Sequence, residues 1–348
     1  MGTKAYDPKS YWNQLVTGDG RLSNVGQSAL GAYNNYAYRC RLKGLKKALE
    51  GMDLAGMKVF EAAFGEGFYL DYWHSQCVPV VAGIDISEAA TGAAKAKFTQ
   101  YDLRCGDLSC ASDFANFGRF DVVTAIDVLY HIVTDEPWER ALRNLLSMVD
   151  EEGVFIFSDK FPREGSYQRS PHVRRRSLSM WDRVLSDAGF SILKLIPVFV
   201  FMDDPIECGE HPWLGFLSMQ QWRVGTKLLR VTRDFPRLQS ILAFSYATIQ
   251  CLPERIFLAM LKRTPNLELA VCSRFSTTTS QPRQPWRTLT GSDHPATGAT
   301  QQPLGTSTDR ESDGQGQTSE PFNNVLTELL SASAMARIAG AVPSLPGA

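Results

Sequence analysis

The chain has 348 residues, 44% apolar and 21% charged, with a formal net charge of −1. This length and composition suit one large globular domain or two small ones and exclude a wholly disordered chain. The near-zero charge excludes a global attraction to nucleic acid, so nucleic acid is not an expected partner and any basic patch must be local.

The seven cysteines are scattered without a Cys-x-x-Cys pair, which predicts free thiols in a reducing compartment and neither a disulfide frame nor a zinc site. The start, Met1-Gly2-Thr3-Lys4-Ala5-Tyr6-Asp7, is polar and lacks the apolar core of a signal peptide. Tyr6 stands where a myristoylation signal needs Ser or Thr. No uninterrupted apolar run approaches the roughly 20 residues needed to cross a bilayer. Leu193 to Met202 is the longest, and it contains Lys194 and Pro197. The expected location is the cytoplasm, with no membrane span.

In chain order, residues 1–50 read as an approach segment, with aromatics and amides at Tyr11-Trp12 and over 32–39. From about Tyr36 to Glu50, Leu42, Leu45 and Leu49 share one helical face, with Arg39, Lys43, Lys46 and Lys47 largely opposite. From 57 to 160 strand and helix patterns alternate, with strands near 57–61, 80–84, 98–103, 120–126 and 153–158. Helices are expected over 68–76, 87–97 and 136–149. Such alternation predicts a parallel sheet with helices on both faces. Residues 160–177 read as a long polar loop carrying Arg163, Arg169, His172 and Arg174-Arg175-Arg176. A helix over 178–188 follows, then a sixth strand from Phe190 to Ile196, stopped by Pro197.

Residues 267–272 fit a seventh strand. Between strands six and seven lie roughly seventy residues where a direct connection needs only a few. Phe199, Trp213, Trp222 and Tyr246 predict that this stretch, 197–266, is folded and mostly helical. It is either a cap over the ligand edge or a packing or dimerisation element. After Arg274 the composition turns to Thr, Ser, Gln, Pro and Gly, which predicts a largely disordered tail over 276–348, with a short helix near 322–342.

Residues 57–70 run from an apolar strand into a carboxylate, Glu61, then a small-residue loop and a helix start. That is the form of a nucleotide-binding strand-turn-helix, in which small residues let the backbone approach a ligand. About twenty residues on, Asp85 ends a second buried strand, where a carboxylate accepts hydrogen bonds from ribose hydroxyls. Asp107 follows in a polar turn, and Asp127 closes a fourth strand ahead of Val128-Leu129-Tyr130-His131. In a parallel sheet these acids, and Asp159 after the fifth strand, share one edge.

These ordered motifs resemble those of the class I S-adenosylmethionine-dependent methyltransferases over roughly residues 30–275. The resemblance implies a Rossmann-like α/β fold: a seven-stranded, mostly parallel sheet with helices on both faces, an N-terminal helical segment and the mostly helical insert between strands six and seven. It implies a cofactor-covering segment over 1–50 and a methyltransferase domain over 51–196 and 267–275. The implied cofactor is S-adenosyl-L-methionine, in contact with Glu61, Ala63, Phe64, Gly65, Glu66, Gly67, Asp85, Ile86, Asp107, Leu108, Asp127 and Val128. Among these, Glu61 is near the methionine end, Asp85 holds the ribose, Asp107 and Leu108 border the adenine, and residues 127–131 line the transfer site. The sequence departs from the family at Ala63, where the first glycine of the motif usually stands; alanine does not adopt a positive φ cheaply.

Methyl transfer needs an acceptor atom about 3 Å from the sulfonium methyl, aligned in-line, and a group to remove its proton. It requires no metal, and none is expected. The family implies a small-molecule or glycan acceptor, most often methylated at a hydroxyl oxygen. His131 is the leading candidate base, or else a structural histidine bonded to a neighbouring loop. Tyr130 either shapes the pocket or packs, and Asp127 is expected to order the transfer-site loop more than to act as a base. Asp159 and His172 are further candidates. Arg174 to Arg176 are expected mainly as a solvated run, with anion binding as the other reading. Aminopropyl transfer and a degenerate cofactor-binding subunit are the alternative functions. The insert offers a possible dimer contact, with the oligomeric state left open.

Overall fold

Consecutive strand residues alternate between two buried faces, and this alternation builds the molecule. Val59, Val81, Val122 and Ile156 face one core, while their neighbours Phe60, Ala82, Val123 and Phe157 face another. In this computed structural model residues 6–15, 31–162, 165–206, 212–232 and 235–275 are described. All belong to the first of two compact units, Met1–Gly291. The second unit, Ser292–Ala348, and the helix expected near 322–342 lie outside the described residues.

The elements run α1 (Pro8–Leu15), α2 (Gly31–Ala48), β1 (Lys58–Ala62), α3 (Phe68–Ser75), β2 (Val80–Asp85), α4 (Glu88–Lys97) and β3 (Asp102–Cys105). They continue with β4 (Phe120–Ala125), α5 (Asp135–Ser147), β5 (Val149–Asp159), β6 (Tyr167–Ser170), β7 (Val173–Arg175), α6 (Leu178–Asp187) and β8 (Phe190–Pro197). Then come α7 (Pro212–Val231), α8 (Pro236–Met260) and β9 (Glu268–Arg274). Seven strands form one sheet in the order β3-β2-β1-β4-β5-β9-β8. The β1–β5 neighbours pair in parallel, and β9 runs antiparallel between β5 and β8. Residues of α2, α3 and α4 cover one face, and residues of α5 and α6, including Trp138 and Trp181, cover the other. This is the Rossmann-like fold the sequence implied.

Three local departures have clear causes. Strand β3 begins at Asp102, not near 98, because the Phe98 amide closes the preceding helix onto the Ala94 carbonyl (2.8 Å) and its ring stacks on Tyr101 (5.5 Å). Strand β5 starts at Val149, earlier than expected, across an irregular register with β4. There a Cβ on Gly153 would meet the Phe120 carbonyl oxygen at 2.8 Å, so the strand needs glycine at that point. The polar stretch 160–177 is not simply a loop, since it folds as the β6–β7 hairpin.

The insert is helical; no residue of α7 or α8 lines the two cavities at the ligand edge, whereas Asp203 of the same insert does. The two helices pack on α2, with Tyr33 against Trp222 and Tyr246 at ring distances of 6.3 and 5.9 Å. Glu254 of α8 is buried and accepts from the amides of Val200 (2.5 Å) and Phe201 (2.8 Å), tying the helix to the segment leaving β8.

Candidate active site

The C-terminal ends of parallel strands share one edge, where open α/β sheets bind ligands. Two adjoining cavities lie at that edge, of about 250 Å³ and about 300 Å³. Trp12, Ala63, Ile86, Val128 and His131 stand on the walls of both. The first cavity is also lined by Phe64, Gly65, Glu66, Asp85, Asp127 and Tyr130, and the second by Asp107, Leu108 and Ser109.

The β1–α3 turn is held by its neighbour strand. The Ala63 amide donates to the Ile84 carbonyl (2.7 Å), and the Gly65 amide donates to Asp85 Oδ2 (2.7 Å). Asp85 Oδ1 accepts from the Ser87 amide (2.8 Å). Burial pushes the Asp85 carboxyl up to about 6 against the pull of those two amides, so it is ionised at neutral pH. Ala63 has φ +56°, the left-handed conformation in which glycine is usual. A Cβ there costs about 1 kcal/mol, so the departure from the family motif is accommodated as local strain. Asp107 Oδ1 accepts from both the amide (2.8 Å) and the hydroxyl (2.9 Å) of Ser109, fixing the turn at the second cavity.

The far end of the first cavity is charged. Asp127 has φ +58°, a conformation Asp tolerates, and exchanges hydrogen bonds with the Ser158 hydroxyl (2.7 and 3.1 Å). Its carboxylate pairs with Arg41, whose guanidinium lies over the Phe199 ring at 4.8 Å. Asp203 faces Lys160 (3.1 Å) and Arg41 (3.9 Å). Burial alone would raise its carboxyl, but these two cations overcome that and hold it well below the usual carboxylate range.

The arginine triplet is not a solvated run. Arg175 is buried, donates to Asp159 Oδ1 (3.1 Å) and lies 4.3 Å over the Tyr130 ring. Arg176 is buried over Trp138 (4.4 Å) and donates to Asp135 Oδ1 (3.0 Å) and the Ile132 carbonyl (2.8 Å). Arg174 donates to Asp135 Oδ2 (2.8 Å). Alternation in the short strand β7 sends Arg175 to one side and its neighbours toward Asp135.

His131 closes a short turn after β4, and its Nδ1 meets the His172 carbonyl oxygen at 2.7 Å. Only a donor suits a carbonyl, so Nδ1 carries the proton and Nε2 the lone pair. Burial pushes its pKa down to about 3, and the ring is neutral at ordinary pH. Around it Tyr11 stacks on His172 (5.0 Å), His172 on His131 (5.7 Å), and Trp12 meets His131 edge-on (4.7 Å). This aromatic column joins α1 to the β6–β7 hairpin.

Of the cofactor and transfer-site residues expected, Glu61, Gly67 and Leu129 lie off both walls. Glu61 is buried beneath, where its Oε2 accepts from Trp73 Nε1 (2.8 Å) and the Thr124 hydroxyl (2.6 Å). Gly67 caps α3 with φ +80°. The others, from Ala63 through His131, are wall residues, and so is His172, whereas Asp159 is held behind the wall by Arg175 and Trp181. Sequence reasoning missed Arg41, Tyr69 and Asp203. Arg41 had a signal: it interrupts Tyr33, Ala37 and Leu45 at four-residue spacing on a buried face, where a lone cation needs a partner. Asp203 carried none, because its place depends on how the segment after β8 crosses the edge.

A methyltransferase-domain family model matches residues 60–157. No curated protein sequence matches the chain. Among solved structures, the chain is similar to the [4+2]-cyclase SpnF at 16% identity, covering 68% of this chain and 80% of that one, with a TM-score of 0.43. It is similar to magnesium protoporphyrin IX methyltransferase from Synechocystis PCC 6803 with bound SAH at 21% identity, covering 54% and 90%, with a TM-score of 0.42. It is also similar to the O-methyltransferase of a trans-AT PKS multienzyme of Brevibacillus brevis at 12% identity, covering 71% and 75%, with a TM-score of 0.44.

Proposed function

We propose that this chain, whose residues 60–157 match a methyltransferase-domain family model, is a class I S-adenosylmethionine-dependent methyltransferase that methylates a hydroxyl oxygen of a small molecule or glycan. The observation that carries the reading is the pair of adjoining cavities on one sheet edge, with Ile86 on both walls and Asp85 beside it. Each Asp85 oxygen accepts one backbone amide and keeps acceptor capacity for a ribose hydroxyl, which fits the nucleoside of S-adenosylmethionine. Glu66 and the turn from Ala63 to Gly65 would hold its amino-acid end, and Asp107, Leu108 and Ile86 its adenine. When bound, the cofactor supplies a methyl group on a sulfonium whose departure leaves a neutral thioether.

The chain supplies position. Tyr33, Tyr38, Tyr69 and Tyr130 give the first cavity aromatic surface suited to a ring-bearing acceptor. The Arg41–Asp127 pair fixes the loop on which the acceptor rests. With Nδ1 committed to His172, the His131 Nε2 accepts a hydrogen bond from the acceptor hydroxyl and orients its oxygen on the methyl. With its pKa pushed down to about 3 by burial it does not hold the proton, which passes to water as the new O–C bond forms. Trp12 of α1 covers the junction and limits water.

Turnover of labelled S-adenosylmethionine against a panel of hydroxylated metabolites and sugars tests this. With an acceptor in hand, His131→Ala lowers turnover about 10²-fold while cofactor affinity stays within a few-fold. An unchanged rate would leave His131 as a prop for the His172 loop only.

A further inference from the structure

Among the described residues, large apolar side chains are exposed on the α7–α8 hairpin above all other parts. On α7, Trp213, Phe216, Val224 and Val231 are 59–71% exposed, and on α8, Ile241, Ile249 and Met260 are 62–75% exposed. Phe235 between the two helices is 64% exposed, and elsewhere among the described residues the exposed large apolar side chains are Val80, Tyr167 and Phe275, at only 39–44%. The spacing explains the pattern. Positions 213, 216, 217, 224, 228 and 231 follow one helical stripe, and 238, 241, 249, 252, 256 and 260 another. Each helix buries its other side: Trp222 and Leu229 on α7, Ala243 and Ala247 on α8, within the core shared with α2. Gly225 lets the two helices close on each other, since a Cβ there would overlap the Tyr246 ring. Exposed apolar stripes of this length on two neighbouring helices mark an interaction surface.

Its charge identifies the partner. Arg223, Lys227, Arg230, Arg237 and Arg255 are exposed beside the apolar stripes. Among the described residues of 212–262 the sole carboxylate is Glu254, which is buried and occupied by the Val200 and Phe201 amides. Apolar side chains flanked by cations, with no exposed acid among the described residues of α7 and α8, match the surface of an anionic bilayer, where long basic side chains reach the headgroups as apolar ones enter the acyl boundary. A second copy of the chain fits less well, because an isologous contact would set this cationic face against itself. Among the described residues no helix is long and apolar enough to span a membrane, so the contact is a lateral one.

We propose that the α7–α8 hairpin is a docking surface that lays its apolar face into an anionic lipid interface. The test is flotation of the full chain with phosphatidylcholine vesicles, with and without about one-third phosphatidylglycerol. The protein should rise with the anionic vesicles at least roughly ten-fold more than with the neutral ones. A Phe216→Ser/Ile241→Ser/Ile249→Ser variant should lose that partition roughly ten-fold with an unchanged circular dichroism spectrum. Absent partition, or equal partition to both vesicles, overturns the proposal. In the first case, sedimentation showing a dimer that the same variant dissociates would make the face a contact between copies. Should the variant not fold, the wild-type comparison of the two vesicle compositions decides by itself. Flotation reads no activity, so its outcome stands apart from the methyl-transfer reading.

Discussion

Glu61 illustrates how a motif residue can serve the frame instead of the cavity. Its Oε2 joins Trp73 of α3 to Thr124 of β4 across β1, which fixes the helix that follows the ligand turn. Burial pushes its carboxyl up to about 7 against those two hydrogen bonds. The folded state therefore holds this proton more tightly than the unfolded chain does. The associated stability is fully present below the unfolded pKa near 4.5 and is lost as pH rises through about 7. Glu61→Gln keeps an oxygen for both donors and removes the charge. In denaturant unfolding, the variant should gain on wild type by about 3 kcal/mol in order of magnitude between pH 4.5 and 8. A difference that stays constant over this range would mean that Glu61 is not held protonated. At Ala63 the strain is small beside a domain's stability, and the hydrogen bond its amide donates to the Ile84 carbonyl holds the turn in place.

At the scale of elements, the strands and the helices between them were legible because hydrophobic period and strand-end acids repeat with each βα unit. Asp85, Asp107 and Asp127 could be placed on one edge by topology alone. The arginine triplet could not. In sequence it is a charge run, and only the β6–β7 hairpin separates Arg175, turned to Asp159 and Tyr130, from Arg176, buried over Trp138. The insert was legible as helical, while its packing against α2 was not singled out, since apolar content predicts burial without saying against what. Helix α1 is held mainly by aromatic contacts. Its ion pair between Lys9 and Glu88 (2.9 Å) is exposed and contributes little, whereas Trp12 packs on His131 and stands on both cavity walls. Trp12→Ala should weaken cofactor binding about ten-fold, equivalent to about 1.4 kcal/mol, as read by calorimetry. Unchanged affinity would make α1 a packing helix with no part in the site.

The whole molecule places a ligand edge, a charged pocket end and an exposed apolar hairpin on one sheet, with α2 linking the last two through Tyr33. Tyr33 lines the first cavity, and it also packs against Trp222 of α7 and Tyr246 of α8. The central claim is that the paired cavities hold S-adenosylmethionine. Calorimetric titration of the full chain with S-adenosylmethionine and with its demethylated product tests it most directly. The account predicts micromolar binding of both, weakened more than about ten-fold in Asp85→Ala, in line with loss of a charge-assisted contact to the ribose. No binding by the wild type, or equal binding by Asp85→Ala, would contradict it.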